Sequence, residues 1–156
     1  TQISGVAKDK NVARLALVGV DDKPGIAYQV FSLLGKENIN VDIILQSYGR
    51  DERQDISFTV KRSDADQALA ILAEHQASLG FDHIDVNKEV VKVSIVGAGM
   101  LENAGVAAKM FGALYDADIN IHMISTSEIK VSVLLDEINA NAAVQAIHDK
   151  FFPEND

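Results

Sequence analysis

The residues of this chain best suited to chemistry are a short loop and two amides, which together suit a free amino acid. The loop Asp22-Lys23-Pro24-Gly25-Ile26-Ala27 leads into a predicted helix. The first N–H groups of a helix lack intrahelical partners, and its dipole attracts a carboxylate. Asn40 and Gln46 could be neutral hydrogen-bond partners and Asp22 could bind the ammonium, because we expect the Asn40 strand to lie beside the strand that ends at the loop. Turn formation, for which Asn is favoured, is an equally open interpretation of Asn40.

No group of residues predicts a catalytic centre, a metal site or a cofactor site. The four histidines lack the spacing of metal ligands. Val96-Gly97-Ala98-Gly99 follows a predicted strand, but a dinucleotide fingerprint needs a third glycine at 102, where this chain has Glu102. The chain also lacks the phosphate-binding loop with its lysine and the metal-binding carboxylates of a kinase, so we expect no kinase activity of its own.

The composition argues against several classes of partner. The chain has 156 residues, a formal net charge of −9 and no cysteine. Nucleic-acid binding needs clustered Lys and Arg against phosphates, which this balance opposes. We expect no membrane partner and no secretory leader, since no apolar run approaches the roughly 20 residues of a membrane span. The absence of cysteine fits a cytoplasmic protein.

The chain repeats itself at a spacing of 80 residues. Gly25–Ser47 matches Gly105–Ser127, and Phe31 falls on Phe111. A repeat of this length corresponds to one small domain. Such a domain buries only about 60% of its unfolded surface, so the two modules should share a core or dimerise.

Each copy predicts the order β-α-β-β-α from its strand-like runs, amphipathic helices and turn residues. We expect the second strand of each copy at Asn40–Ser47 and Asn120–Ser127, and we expect Ser63 to cap the second helix of the first copy. The first copy continues into a fourth strand, at about 82–88. The second copy has no fourth strand, whereas a spare strand lies at 3–7.

The spare strand suggests a nested arrangement of two domains. The N-terminal strand would complete the sheet of module 2, which then spans 1–8 plus 90–156, and module 1 would be inserted within it at 9–89. The predicted fold class is α+β, with two ferredoxin-like βαββαβ modules whose antiparallel sheets carry their helices on one face.

Four segments carry a family resemblance, namely Asp22–Ala27 with the Val-Phe that follows, Ile39–Gln46, Val93–Met100 and Ile119–Lys130. They resemble the tandem ACT domains of aspartokinase, and the likeness covers essentially the whole chain. The resemblance implies a regulatory domain or β subunit of aspartate kinase. It implies further that threonine, lysine or both bind at ACT interfaces and inhibit aspartate phosphorylation, in lysine, threonine and methionine biosynthesis, by a separate catalytic domain or α subunit.

The resemblance also implies which residues contact the effector. In the first module these are Asp22, Lys23, Pro24, Gly25, Ile26, Ala27, Asn40, Val41, Asp42 and Gln46. In the second module they are Val106, Ala107, Asn120, Ile121, Thr126 and Ser127. Ala104 stands where the family commonly has proline. Lysine would need an additional acid for its second ammonium group, for which Asp42 and Glu128 are candidates.

Two hypotheses from different classes remain open. The first is a homodimeric amino-acid sensor, and the second is a structural ACT assembly subunit that holds kinase chains together without a ligand. A ligand at 100 times its dissociation constant adds about 2.7 kcal/mol of stability, so ligand-dependent unfolding distinguishes them. The sequence does not distinguish threonine from lysine.

Overall fold

The structure is a computed structural model that describes residues 2–49, 51–98 and 105–153. The chain divides into two compact units, Asn11–Lys88 and Thr1–Lys10 with Glu89–Asp156. Each unit has one four-stranded antiparallel sheet with helices, so the predicted α+β class of two ferredoxin-like modules is confirmed.

The two halves of the chain share the order β-α-β-β-α, to which the first half adds α3 and β5, and β1 precedes both. In chain order they are β1 (Gln2–Asp9), β2 (Ala13–Asp21), α1 (Ile26–Lys36), β3 (Ile44–Tyr48), β4 (Arg53–Val60), α2 (Ala65–Glu74), α3 (Gln76–Leu79), β5 (His83–Asn87), β6 (Val90–Ala98), α4 (Gly105–Asp116), β7 (Met123–Thr126), β8 (Lys130–Asp136) and α5 (Ala140–Phe151).

The core of the unit Asn11–Lys88 forms where α1 and α2 cover one face of its sheet. The buried face of α1 consists of Ile26, Val30 and Leu34. Their spacing of four residues keeps them on one side of a helix. On β4, buried Ile56 and Phe58 alternate with half-buried residues, and the ring of Phe31 meets Phe58 edge-on at 5.4 Å between centroids.

The order of strands in this unit differs from the order that we expected around Asn40. The sheet runs β3-β4-β2-β5, so β4 lies between β3 and β2. The expectation that the strand carrying Asn40 lies beside the strand ending at the loop is therefore wrong. The reason is that β3 pairs with its own hairpin partner β4, and β4 then takes the place next to β2.

Two local predictions in this unit are also wrong. The strand expected from Asn40 begins only at Ile44, because Thr59 takes the backbone hydrogen bonds of the two residues before it. The Thr59 carbonyl accepts the Asp42 N–H at 3.1 Å, and the Thr59 hydroxyl accepts the Ile43 N–H. Ser63 does not cap α2. It lies inside a 3₁₀ turn, where its N–H donates to the Asn11 side chain, and α2 begins at Ala65.

The unit Thr1–Lys10 with Glu89–Asp156 has the sheet order β1-β6-β8-β7. β1 pairs antiparallel with β6, and its register runs from Gln2 opposite Ala98 to Asp9 opposite Lys92. Strand β7 covers only Met123–Thr126 of the expected Asn120–Ser127. Among the described residues, no helix is long and apolar enough to cross a membrane.

Both units turn from helix to strand in the same way. The left-handed residues are Asn38, with φ 58°, and Asp118, with φ 59°. One residue later, Ile39 and Ile119 donate their N–H groups to the carbonyls of Leu34 and Leu114. This is the hydrogen-bonded end of a helix that needs a residue tolerant of positive φ. The turn chemistry of the first unit therefore rests on Asn38, not on exposed Asn40.

Gly19 allows a bulge in β2, and its replacement tests that bulge. Its φ is +72°, and an added Cβ would lie 2.4 Å from a carboxylate oxygen of Asp82. The β2–β4 register shifts at this point. We expect Gly19→Ala to lower the free energy of unfolding by about 1–3 kcal/mol, the cost of a strained backbone conformation. Urea unfolding followed by circular dichroism measures this.

Gly35→Ala is the matched control. Gly35 lies in α1 at negative φ, and an added Cβ would meet nothing within 4 Å. We expect this variant to gain about 0.5–1 kcal/mol, because Gly costs that much in a helix relative to Ala. Equal stability of the two variants would contradict the role of the bulge.

Candidate functional site

The start of α1 presents backbone N–H groups that a carboxylate could accept. Gly25 caps the helix in the left-handed region, at φ 86°, without a side-chain hydrogen bond. Within the described chain, the N–H groups of Ala27 and Tyr28 have no backbone acceptor, whereas Gln29 donates to the carbonyl of Gly25 at 3.0 Å. Free N–H groups and the positive end of the dipole together favour an anion here.

The loop before α1 is tied to the hairpin between β3 and β4. The Asp22 N–H donates to the carbonyl of Glu52 at 2.9 Å, and the Lys23 N–H donates to that of Asp21 at 3.0 Å. The Asp22 side chain is exposed. A carboxylate in this position can meet the ammonium of a ligand whose carboxylate binds the helix.

Two glutamine side chains lie on the sheet near this loop. Gln46 on β3 donates through Nε2 to Oε1 of Gln54 on β4 at 3.1 Å. Gln54 pairs with Val20, two residues before the loop, and it is only 3% exposed. It alternates with Ile56 and Phe58, so it faces the same side of the sheet as α1. The amide pair therefore lies at the same end and on the same face as the helix start.

Gln54 is a candidate site residue that the sequence reasoning missed. The signal was present, because Gln54 occupies the first inward position of a strand whose next inward positions are Ile56 and Phe58. A glutamine in such a position needs a hydrogen-bond partner. The sequence alone gave no register between β3 and β4, and the partner Gln46 could not be assigned to it.

Asn40 and Asp42 lie at the opposite end of this sheet from the loop. The Asp42 N–H bonds to Thr59, which pairs with Arg14, whereas Asp21 at the loop pairs with the far end of β4. Arg14 and Asp21 are seven residues apart, and at about 3.3 Å per residue this amounts to about 23 Å. One small ligand cannot contact the loop and Asn40 within one unit.

The remaining predicted residues of the first unit divide by burial. Ile26 is buried in the core, so only its backbone is available to a ligand, and its N–H donates to the carbonyl of Lys23. Pro24 and the side chain of Lys23 are exposed, and Val41 packs partly against the core. Ala27 is half-buried beside the helix start.

The second unit repeats the geometry in part. Val106 is buried in the core and Ala107 is half-buried at the start of α4. At the hairpin, the Ser127 N–H donates to the carbonyl of Lys130 at 2.8 Å. The other predicted residues of this unit are exposed or half-buried: Asn120, Ile121, Thr126 and Glu128. The loop with Glu102 and Ala104 lies outside the described residues.

The described residues contain no group of three or more His, Asp or Glu side chains placed to hold a metal ion. What the first unit offers is a set of backbone N–H donors, a neutral amide pair and an exposed carboxylate. These groups match the carboxylate, side-chain polar group and ammonium of a small amino acid.

Comparison with known proteins assigns the fold to a family. The profile of the ACT domain matches residues 15–76 and 93–151, once in each half of the chain. The chain belongs to the ACT-domain family. This ACT-domain chain is 46% identical over 146 residues to the aspartokinase of Helicobacter pylori (strain ATCC 700392 / 26695), a match that covers 94% of this chain and 36% of the relative. The chain thus spans about a third of the length of the curated relatives that it matches.

Two solved structures match the ACT-domain chain over nearly its full length. A chain in the crystal structure of aspartokinase alpha and beta subunits is 49% identical, with a TM-score of 0.90, over 96% of this chain and 99% of that one. The ligand-free regulatory subunit of aspartate kinase from Thermus thermophilus is 40% identical, with a TM-score of 0.92, over 97% and 99%. The chain corresponds to the regulatory part of an aspartate kinase, and the predicted resemblance is confirmed.

Proposed function

We propose that this ACT-domain chain senses an end-product amino acid and restrains an aspartate kinase catalytic domain or α subunit. One observation carries the proposal: the free N–H groups of α1 and the Gln46–Gln54 amide pair lie at the same end and on the same face of one sheet. A ligand with a carboxylate and a hydroxyl can satisfy both groups. Threonine has both, so we assign threonine to the unit Asn11–Lys88.

The site is completed by a second copy of the chain. Asn40 and Asp42 lie about 23 Å from the loop within one unit, by the rise of about 3.3 Å per residue. If a second ACT edge lies antiparallel along β3, the Asn40 end of one edge meets the Gln46 end of the other. The exposed side chains Ile44, Leu45 and Tyr48 on β3 support such a contact, since unpaired edges with apolar side chains favour association.

Lysine is the alternative effector. Aspartokinase III of E. coli, 25% identical with a TM-score of 0.73 over 96% of this chain and 33% of its own, was crystallised with lysine and aspartate. In this chain, Asp42 and Glu128 are exposed acids that could pair with a second ammonium group. Asp42 belongs to the end of the first unit that the second copy would bring to the shared site.

A ligand shifts the kinase only if it binds one arrangement of the modules more tightly than another. The proposal therefore includes two states of the dimer, with the effector favouring the inhibited state. The regulated reaction, transfer of phosphate from ATP to aspartate, belongs to the catalytic partner. We expect both proteins to be cytoplasmic, where we expect amino-acid biosynthesis to take place.

Calorimetric titration of the full chain with threonine and with lysine tests the proposal. We expect threonine to bind and to raise the unfolding temperature, and sedimentation at micromolar concentration to show a dimer. If neither amino acid binds while the dimer persists, the chain is a structural ACT assembly subunit. A stable monomer with and without threonine would contradict the shared site.

A further inference from the structure

We infer that Arg53 is a positioning residue of the effector site in the unit Asn11–Lys88, an inference that rests on the proposed function. Its guanidinium bridges three structures: the bulge of β2, the residue before the effector loop and the segment before β5. It donates to the carbonyl of Gly19, contacts Asp82 at 3.0 Å and contacts Asp21 at 3.5 Å.

We call these three contacts of Arg53 the clamp. The clamp orders the loop through Asp21, the residue that precedes it. Asp21 is followed by Asp22, whose N–H is bonded to Glu52, the residue before Arg53. Loop and hairpin are thus joined twice, once through the backbone and once through the guanidinium. The bulge is held as well, because the Gly19 N–H donates to the Asp55 carboxylate at 3.0 Å.

Arg53 holds the loop from the face of the sheet opposite to α1, and we do not expect it to contact a ligand. Side chains alternate along β4, so Arg53 faces away from the side on which Gln54 and α1 lie. A planar guanidinium with several donors is suited to hold two carboxylates and a carbonyl at fixed angles. Its effect on binding is therefore indirect, through the orientation of the loop and of the helix start.

The other unit indicates that the fold does not need an arginine at this position. In the first strands of the two copies Val18-Gly19 matches Val96-Gly97, a spacing of 78 residues, so Leu17 matches Ile95, and these two residues pair with Ile56 and Val131. Three residues before these partners stand Arg53, the first residue of β4, and Glu128, which lies in the turn before β8, so the corresponding position in the chain has the opposite charge. Each unit forms its own four-stranded antiparallel sheet with the corresponding strand order, so the arginine is a feature of one site, not of the architecture.

The exposure of the Arg53 ion pairs determines how much Arg53 should contribute to global stability. Arg53, Asp21 and Asp82 keep 41%, 39% and 64% of their side-chain surface exposed. Single exposed pairs contribute little to global stability. We therefore expect Arg53 to change the local order of the loop and leave the unfolding temperature almost unchanged.

Arg53→Gln tests the inference, with Lys61→Gln as its control. Lys61 follows the same strand at its other end and is exposed, so its replacement removes one positive charge far from the loop. In the ligand-free full chain, Arg53→Gln should speed amide exchange of Asp22, Lys23 and Ile26, whose N–H groups are hydrogen-bonded in the loop, but not of the buried turns of α1. It should weaken threonine binding about three- to tenfold, the cost of ordering a loop on binding, and Lys61→Gln should do neither.

A double-mutant cycle with Asp82→Asn asks whether the arginine acts through its partner. Non-additive losses of threonine affinity would support the clamp. Unchanged loop exchange in Arg53→Gln, or a lower unfolding temperature with unchanged threonine affinity, would overturn it. A wild-type chain that binds neither amino acid would instead sink the proposed function, and loop exchange would still decide whether Arg53 orders the loop.

Discussion

Gln46→Ala and Gln54→Leu should each weaken threonine binding about tenfold or more. A buried polar group left without its partner costs about 1–3 kcal/mol, and each about 1.4 kcal/mol is a factor of ten in affinity. Gln46 donates to Gln54, so either replacement removes one end of the pair that would hold the ligand hydroxyl. Calorimetric titration of both variants with threonine measures the loss.

Ser47→Ala is the control for the amide pair. Ser47 neighbours Gln46 on β3 and is exposed on the opposite face of the strand. We expect its threonine affinity to equal that of the wild type. If Gln46→Ala also binds threonine with unchanged affinity, the site lies elsewhere.

Removal of residues 1–9 should abolish the cooperative unfolding of the unit that contains Glu89–Asp156. Strand β1 pairs with β6 over its whole length, so its loss turns β6, now an inner strand, into an unpaired edge. A unit this small is marginal even when intact. Amide exchange measured by mass spectrometry should show lost protection in β6 and β8.

The unit Asn11–Lys88 is the internal control for this truncation. Its sheet contains none of the deleted residues, so β2 and β4 should keep their protection from exchange. Equal loss in both units, or no loss in either, would contradict the expectation.

The fold class could be predicted from the sequence because the β-α-β-β-α pattern occurs twice in the chain. The buried stripe of α1 and the repeat of Phe31 at Phe111 both follow from helical periodicity. Strand boundaries were less accessible. The buried hydroxyl of Thr59 accepts a hydrogen bond from the Ile43 N–H, and β3 therefore begins only at Ile44. Nothing in the sequence indicates this bond.

The candidate site was accessible only in part, because it depends on pairing between strands. The loop at Asp22 and the amide of Gln46 carry signals that do not depend on register. Gln54 and Arg53 matter only through what lies opposite them, which the order β3-β4-β2 determines. β3 runs towards the Gln54 end of β4, so Asn40 lies at the end of the sheet away from the loop, and local sequence cannot reveal that distance.

The nested connection of the strands has a consequence for synthesis on the ribosome. β1 leaves the ribosome before its partner β6, which begins at Val90, 81 residues after β1 ends at Asp9. At about 5–20 residues per second, β1 waits about 4–16 s without a partner. During this time the whole unit Asn11–Lys88 is made and can fold on local contacts. The inserted unit should therefore mature before the unit that surrounds it in the chain.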